Sequence, residues 1–129
     1  MQRRRATALL IAALLAVATA SCGGKKAATP TEVFKAFYEA ALAADVATLK
    51  NLLSKETLVY MEGQAKSKNQ SLDDYLAAQS RSFPPGLPEV GEEKIEGAKA
   101  TLKFKHETNR NWSTARFVKD DDEWKIDLR

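Results

Sequence analysis

The chain holds one histidine, His106, and one cysteine, Cys22. That is too few nitrogen and sulfur ligands to assemble a zinc cluster. Asp120-Asp121-Asp122-Glu123 is acidic, but it lacks the spaced ligands and glycine of a calcium loop and reads as a solvated hairpin turn. Neither a phosphate-cradling glycine loop nor a nucleophile elbow is present. What remains is acid–base chemistry. His106 could act in a pocket as general base or hydrogen-bond donor, or sit half exposed near a strand end, bonded locally. Tyr38 and Tyr60 could offer phenol hydroxyls to the same pocket, or pack in the core or at its rim. Proton abstraction from carbon would also need a carboxylate raised in pKa by an apolar site. Most acids here fall at helix caps, turns or outward strand positions, and Asp74 and Asp127 have no distinguishing surroundings. No residue is assigned a catalytic role, and no metal or cofactor is expected.

Cys22 is informative through its position. Arg3, Arg4 and Arg5 precede an apolar run from Ala6 to Ala20, and the cysteine follows two residues later. A basic start, an apolar middle and small residues at the end describe an export signal. The run is too short for a bilayer core, which needs about 20 apolar residues. The stretch resembles a bacterial lipoprotein signal, in which small residues such as Ala20 and Ser21 precede a cysteine that is lipidated and becomes the new N-terminus. Thr19 stands where that pattern prefers Leu, Val or Ile. The alternative is a plain secretory signal cut after Ala20, since Ala18-Thr19-Ala20 is a good small-x-small site. Such cleavage leaves a free thiol near the new terminus, which is unusual in an exported protein, whereas lipidation accounts for both the presence and the position of the cysteine. The resemblance implies an exported protein anchored to the membrane through Cys22 and facing the periplasm. No aspartate follows Cys22, which by the enterobacterial sorting pattern favours the outer over the inner membrane.

Three regions follow: a signal peptide over 1–21, the cysteine and a flexible tether over 22–29, and one domain over 30–129. Removing 21 of the 129 residues leaves 108, enough for one modest core. The three signal arginines leave with them, so 17 basic residues face 17 acidic ones. The remaining domain is formally neutral, and nothing in its charge points to nucleic acid.

The elements that must position His106 and the tyrosines come in two blocks. Thr29-Pro30-Thr31-Glu32 is a helix start with a capping box, and Val33, Phe34, Phe37, Tyr38, Ala41 and Leu42 recur at helical spacing. Asp45 caps a second helix with a Val46, Leu49, Leu52, Leu53 stripe. Leu58, Tyr60 and Met61 form one or two further helical turns ending near Gly63. Ser71 starts a helix carrying Leu72, Tyr75, Leu76 and Gln79, and the prolines from Pro84 to Pro88 stop it. The period then changes to two. A weak strand spans Val90 to Ile95. A second runs from Ala100 to His106, with Ala100, Leu102, Phe104 and His106 on one face. A third runs from Trp112 to Lys119, and a last carries Trp124, Ile126 and Leu128. Helices followed by an antiparallel meander give an α+β domain. In the third strand, Phe117 is set inward because the opposite face would bury Arg116. That choice leaves Trp112 and Val118 outward, as an interface patch, unless a loop covers Trp112 at the strand end.

The opening Phe34-x-x-Phe37-Tyr38…Asp45-Val46-x-x-Leu49-x-x-Leu52-Leu53, with a meander closing on Glu123-Trp124-Lys125-Ile126-Asp127, resembles the nuclear transport factor 2-like superfamily. Within it, the chain is similar to small bacterial lipoproteins carrying a domain of unknown function. The resemblance implies a cone of helices wrapped by a curved sheet, with a cavity near Phe37, Tyr38, Tyr60, Phe104 and His106. It also implies dimerisation through the outer sheet face, where Trp112 and Val118 stand. The expected role is a membrane-tethered, non-enzymatic domain that binds a small apolar ligand, pairs with a second copy or joins another envelope protein. The alternative is a pocket enzyme of the ketosteroid isomerase or dehydratase type. One fold hosts many functions, so the choice belongs to the site.

Overall fold

The computed structural model describes residues 28–129, so Cys22 and the signal segment lie outside the described residues. Four helices precede four strands: α1 Pro30–Leu42, α2 Val46–Leu52, α3 Lys55–Ser67, α4 Leu72–Ser80, β1 Glu89–Glu96, β2 Lys99–Lys105, β3 Ser113–Asp120 and β4 Glu123–Asp127. The strands form one antiparallel sheet in the order β1-β2-β3-β4, with each strand beside its sequence neighbour. This is the α+β arrangement that the change of hydrophobic period requires.

The helix starts are local chemistry. Thr29 and Glu32 form the capping box of α1. Glu93 of β1 adds a second cap, its Oε1 accepting from the backbone N–H of Thr31 at 2.9 Å and from its hydroxyl at 2.8 Å. Asp45, Ser54 and Ser71 cap α2, α3 and α4 with their side-chain oxygens. α3 runs through the exposed Gly63 to Ser67, longer than the periodicity suggested, and Ala65 beyond the glycine is buried.

Two tight turns set the register of the sheet. Gly97 takes a φ of 61° between the paired Glu96 and Lys99. Asp121 and Asp122, at φ 50° and 62°, join the paired Asp120 and Glu123. Two consecutive positive φ values make the latter a type I′ turn, the form that matches strand twist. This two-residue turn puts Phe117 opposite Ile126, on one face with Trp124. Aspartate tolerates the left-handed region less well than glycine. Asp122→Gly is therefore expected to raise the unfolding free energy by roughly 1 kcal/mol, read as a higher urea midpoint at unchanged slope.

The inward face carries Leu102, Ala100, Phe117, Ile126 and Trp124, and α1 supplies Val33, Phe34, Phe37, Tyr38 and Ala41 against it. Leu49 and Leu53 of the α2 segment and Leu76 of α4 complete the buried cluster. Phe104 is only partly buried. The outer edge of β4 is covered by the α2–α3 junction, where Leu53 forms a parallel bridge to Ile126 and the Ser54 N–H donates to the Ile126 carbonyl at 2.9 Å.

Candidate functional site

A cleft of about 370 Å³ opens between α1 and the inward sheet face. Phe34, Phe37 and Tyr38 of α1, Phe83 after α4 and Phe104 of β2 form its walls, with Ala115, Ile126 and Leu128 below and Thr114, Arg116 and Asp127 at its edge. The helical spacing of residues 34, 37 and 38 puts those three rings on one face. The rings pack against one another, with centroids 4.9 Å apart for Phe34 and Phe104, 5.2 Å for Phe34 and Tyr38, 5.0 Å for Tyr38 and Phe83, and 5.8 Å for Phe37 and Phe83. Tilted and edge-on contacts at such distances are favourable for aromatic pairs. A second cavity of about 210 Å³ shares Phe37, Phe83 and Leu128 and reaches Leu49, Leu53, Met61 and Leu76. The helices therefore cover the sheet without filling the space between.

Of the five residues expected in the cavity, Phe37, Tyr38 and Phe104 line the cleft. Tyr60 does not. It lies on the outward side of α3, 51% exposed, in a shallow groove with Lys55, Val59 and Arg129. Leu58 and Met61 do pack against the core, and Met61 shares the face of the buried Thr57 and Ala65 at i+4 spacing, but Tyr60 points away from that face. His106 is also outside the cleft lining. β2 ends at Lys105, so His106 falls just past the strand, its ring 6.4 Å from that of Tyr38. The sequence offers only a weak signal for Phe83, which stands seven residues, about two turns, after Leu76 and just past the end of α4.

Burial pushes the Tyr38 phenol above its ordinary pKa, so it stays neutral and able to donate. Asp127 behaves in the opposite sense to the carboxylate an isomerase needs. A hydrogen bond from Arg129 is the main cause holding it below the usual carboxylate range, and the Thr57 hydroxyl also donates to it. Ionised and engaged on both sides, Asp127 is a poor base for carbon acids. Among the described residues, no group of three or more His, Cys, Asp or Glu could hold a metal ion.

Both ring nitrogens of His106 are buried without a hydrogen-bond partner among the described residues. Leaving a polar group in that state costs about 1–3 kcal/mol, whereas an apolar replacement of similar shape removes the cost. His106→Phe is expected to raise stability by about 1 kcal/mol, measured as a shift in urea midpoint. A drop in the midpoint would mean that the imidazole has partners in solution.

On the outward sheet face, Trp112 is 46% exposed, and the ammonium of Lys105 lies 4.8 Å from its ring centroid. The indole covers Gly91 so closely that a Cβ there would come within 3.0 Å of it. Val118 is half-buried on the same face. No helix among the described residues is long and apolar enough to cross a membrane. Compared with protein-family models, curated proteins and solved structures, the chain matches none.

Proposed function

We propose that this protein is a lipid-anchored domain of the bacterial envelope that binds a small apolar molecule, without catalysing a reaction, on a nuclear transport factor 2-like scaffold. The observation that carries the binding role is the aromatic cleft beneath α1, large enough for a ligand and poor in charged groups. Such pockets are mostly apolar, with a few polar groups that orient the guest. Tyr38 is the neutral donor in this one. The low pKa of Asp127 argues against the isomerase-like alternative. Anchoring rests on the signal-like segment ending at Cys22.

Two experiments test the two halves. Cys22→Ser is expected to shift the protein from the membrane fraction to the soluble periplasm. A purified wild-type chain beginning at Ser21 with a free thiol refutes the anchor. For the cleft, native mass spectrometry of the purified chain is expected to show an adduct lost on denaturation, and Phe34→Trp, which crowds the cleft, should abolish it. A chain that carries no adduct and binds no apolar dye has no ligand role. Pairing through Trp112 and Val118 would then lead, with Trp112→Ser expected to dissociate the assembly.

A further inference from the structure

Thr114 borders the cleft although its hydroxyl is turned to Lys103 on the outward sheet face, so its main chain is what it can offer to the cleft. The Lys119 N–H donates to the Ala98 carbonyl, on the β2 side of β3. Main-chain groups of successive strand residues point to opposite sides. Phe117, Ala115 and Ser113 therefore also face β2, while Val118, Arg116 and Thr114 face the β4 side. β4 pairs with that edge as far as Arg116 opposite Asp127. Thr114 comes next. Arg129, which would stand across from it, is engaged elsewhere: its N–H donates to Asp127 Oδ1 at 3.3 Å and its carbonyl accepts from the Arg116 guanidinium. Thr114 thus presents an N–H and a carbonyl, unpaired among the described residues, at the edge of an aromatic cleft.

We propose that the cleft takes an extended peptide. One ligand residue bridges to the N–H and carbonyl of Thr114 as a neighbouring strand would, and an adjacent residue drops an apolar side chain into the cleft. The pleat supports this arrangement: a residue opposite Thr114 points outward with it, and its neighbours point inward over Ala115. Ala115 is small, so the space above it is open to such a side chain. A hydrocarbon or sterol could fill the aromatic volume but would make no use of the two groups of Thr114, which is exposed and would leave them to water. Adding a strand to a free edge gives affinity through main-chain bonds and selectivity through the side-chain pocket. The proposal rests on the ligand-binding reading above and adds the class of ligand.

The test uses the full chain, isotope-labelled and held in lipid nanodiscs, with three probes. One is acetyl-Leu-Thr-Phe-amide. The second is its twin methylated on the threonine nitrogen, which keeps every side chain and loses the bridging N–H. The third is 4-propylphenol, an apolar probe without an amide. The first peptide is expected to slow hydrogen exchange at the Thr114 amide and to bind at least tenfold tighter than its twin. Equal binding by the two peptides overturns the proposal. Binding of 4-propylphenol alone overturns it while leaving the cleft a ligand site, and failure of all three probes removes both readings. Slow exchange at Thr114 without any probe, in a chain that sediments as a dimer, would assign the edge to a second copy and equally overturn the peptide.

Discussion

Phe117→Ala is expected to lower the unfolding free energy by about 3–5 kcal/mol. Phe117 is 1% exposed and sits mid-strand, between Ala100 on β2 and Ile126 on β4. Both strand neighbours are themselves buried, so the cavity left behind has little freedom to collapse. A loss of that size is a large fraction of a small domain's stability. Phe104→Ala should cost clearly less, because Phe104 is only half-buried and already borders the open cleft. Urea unfolding of both variants checks the ranking. Equal losses would mean that the cleft is closed around Phe104 in solution.

Thr57→Val should cost about 2–3 kcal/mol with almost no change in volume. Thr57 is fully buried, and its hydroxyl joins the start of α3 to the end of β4. It accepts from the Leu128 N–H at 3.0 Å and from the Ser54 hydroxyl at 2.7 Å, and it donates to Asp127 Oδ1. Valine keeps the shape but strands the Leu128 amide and the Ser54 hydroxyl, and a stranded buried polar group carries its desolvation cost unrelieved. Thr57→Ser, which keeps the hydroxyl, should recover most of the loss. If valine and serine are equally tolerated, water reaches this junction.

The elements that were legible in the sequence are those whose signals are local. The Thr29–Glu32 capping box, the Asp45 and Ser71 caps and the shift of period at Val90 all describe interactions within a few residues. The inward setting of Phe117 followed from the cost of burying Arg116. The site was harder to read because cleft residues come from α1, the segment after α4, and all but the first strand, and no local pattern relates them. Phe83 looks like part of the proline-rich stop, and only its contacts with Phe37 and Tyr38 identify it as a wall. Tyr60 shares a helix with inward-facing residues but stands on its outer side, and His106 lies past the end of its strand. In α3 the buried residues include a threonine, which a search for apolar stripes passes over. In β2 the strand stops one residue short of the histidine.

The sequential strand order, with its long-range links made only to the helices, has a kinetic consequence. β1, β2 and β3 each pair with the strand that follows in the chain, so the sheet can assemble by short loop closures alone. The bridge between Leu53 and Ile126 is different, joining residues 73 positions apart (126 minus 53). Its entropy must be lost before its contacts are gained, and proteins dominated by near-neighbour contacts fold faster than those that depend on distant ones. Docking of β4 on the α2–α3 junction, like the Glu93 cap on α1, is therefore a slow closure that joins helices to meander. Substitutions there should slow refolding, whereas changes in the β1–β2 hairpin should mainly speed unfolding.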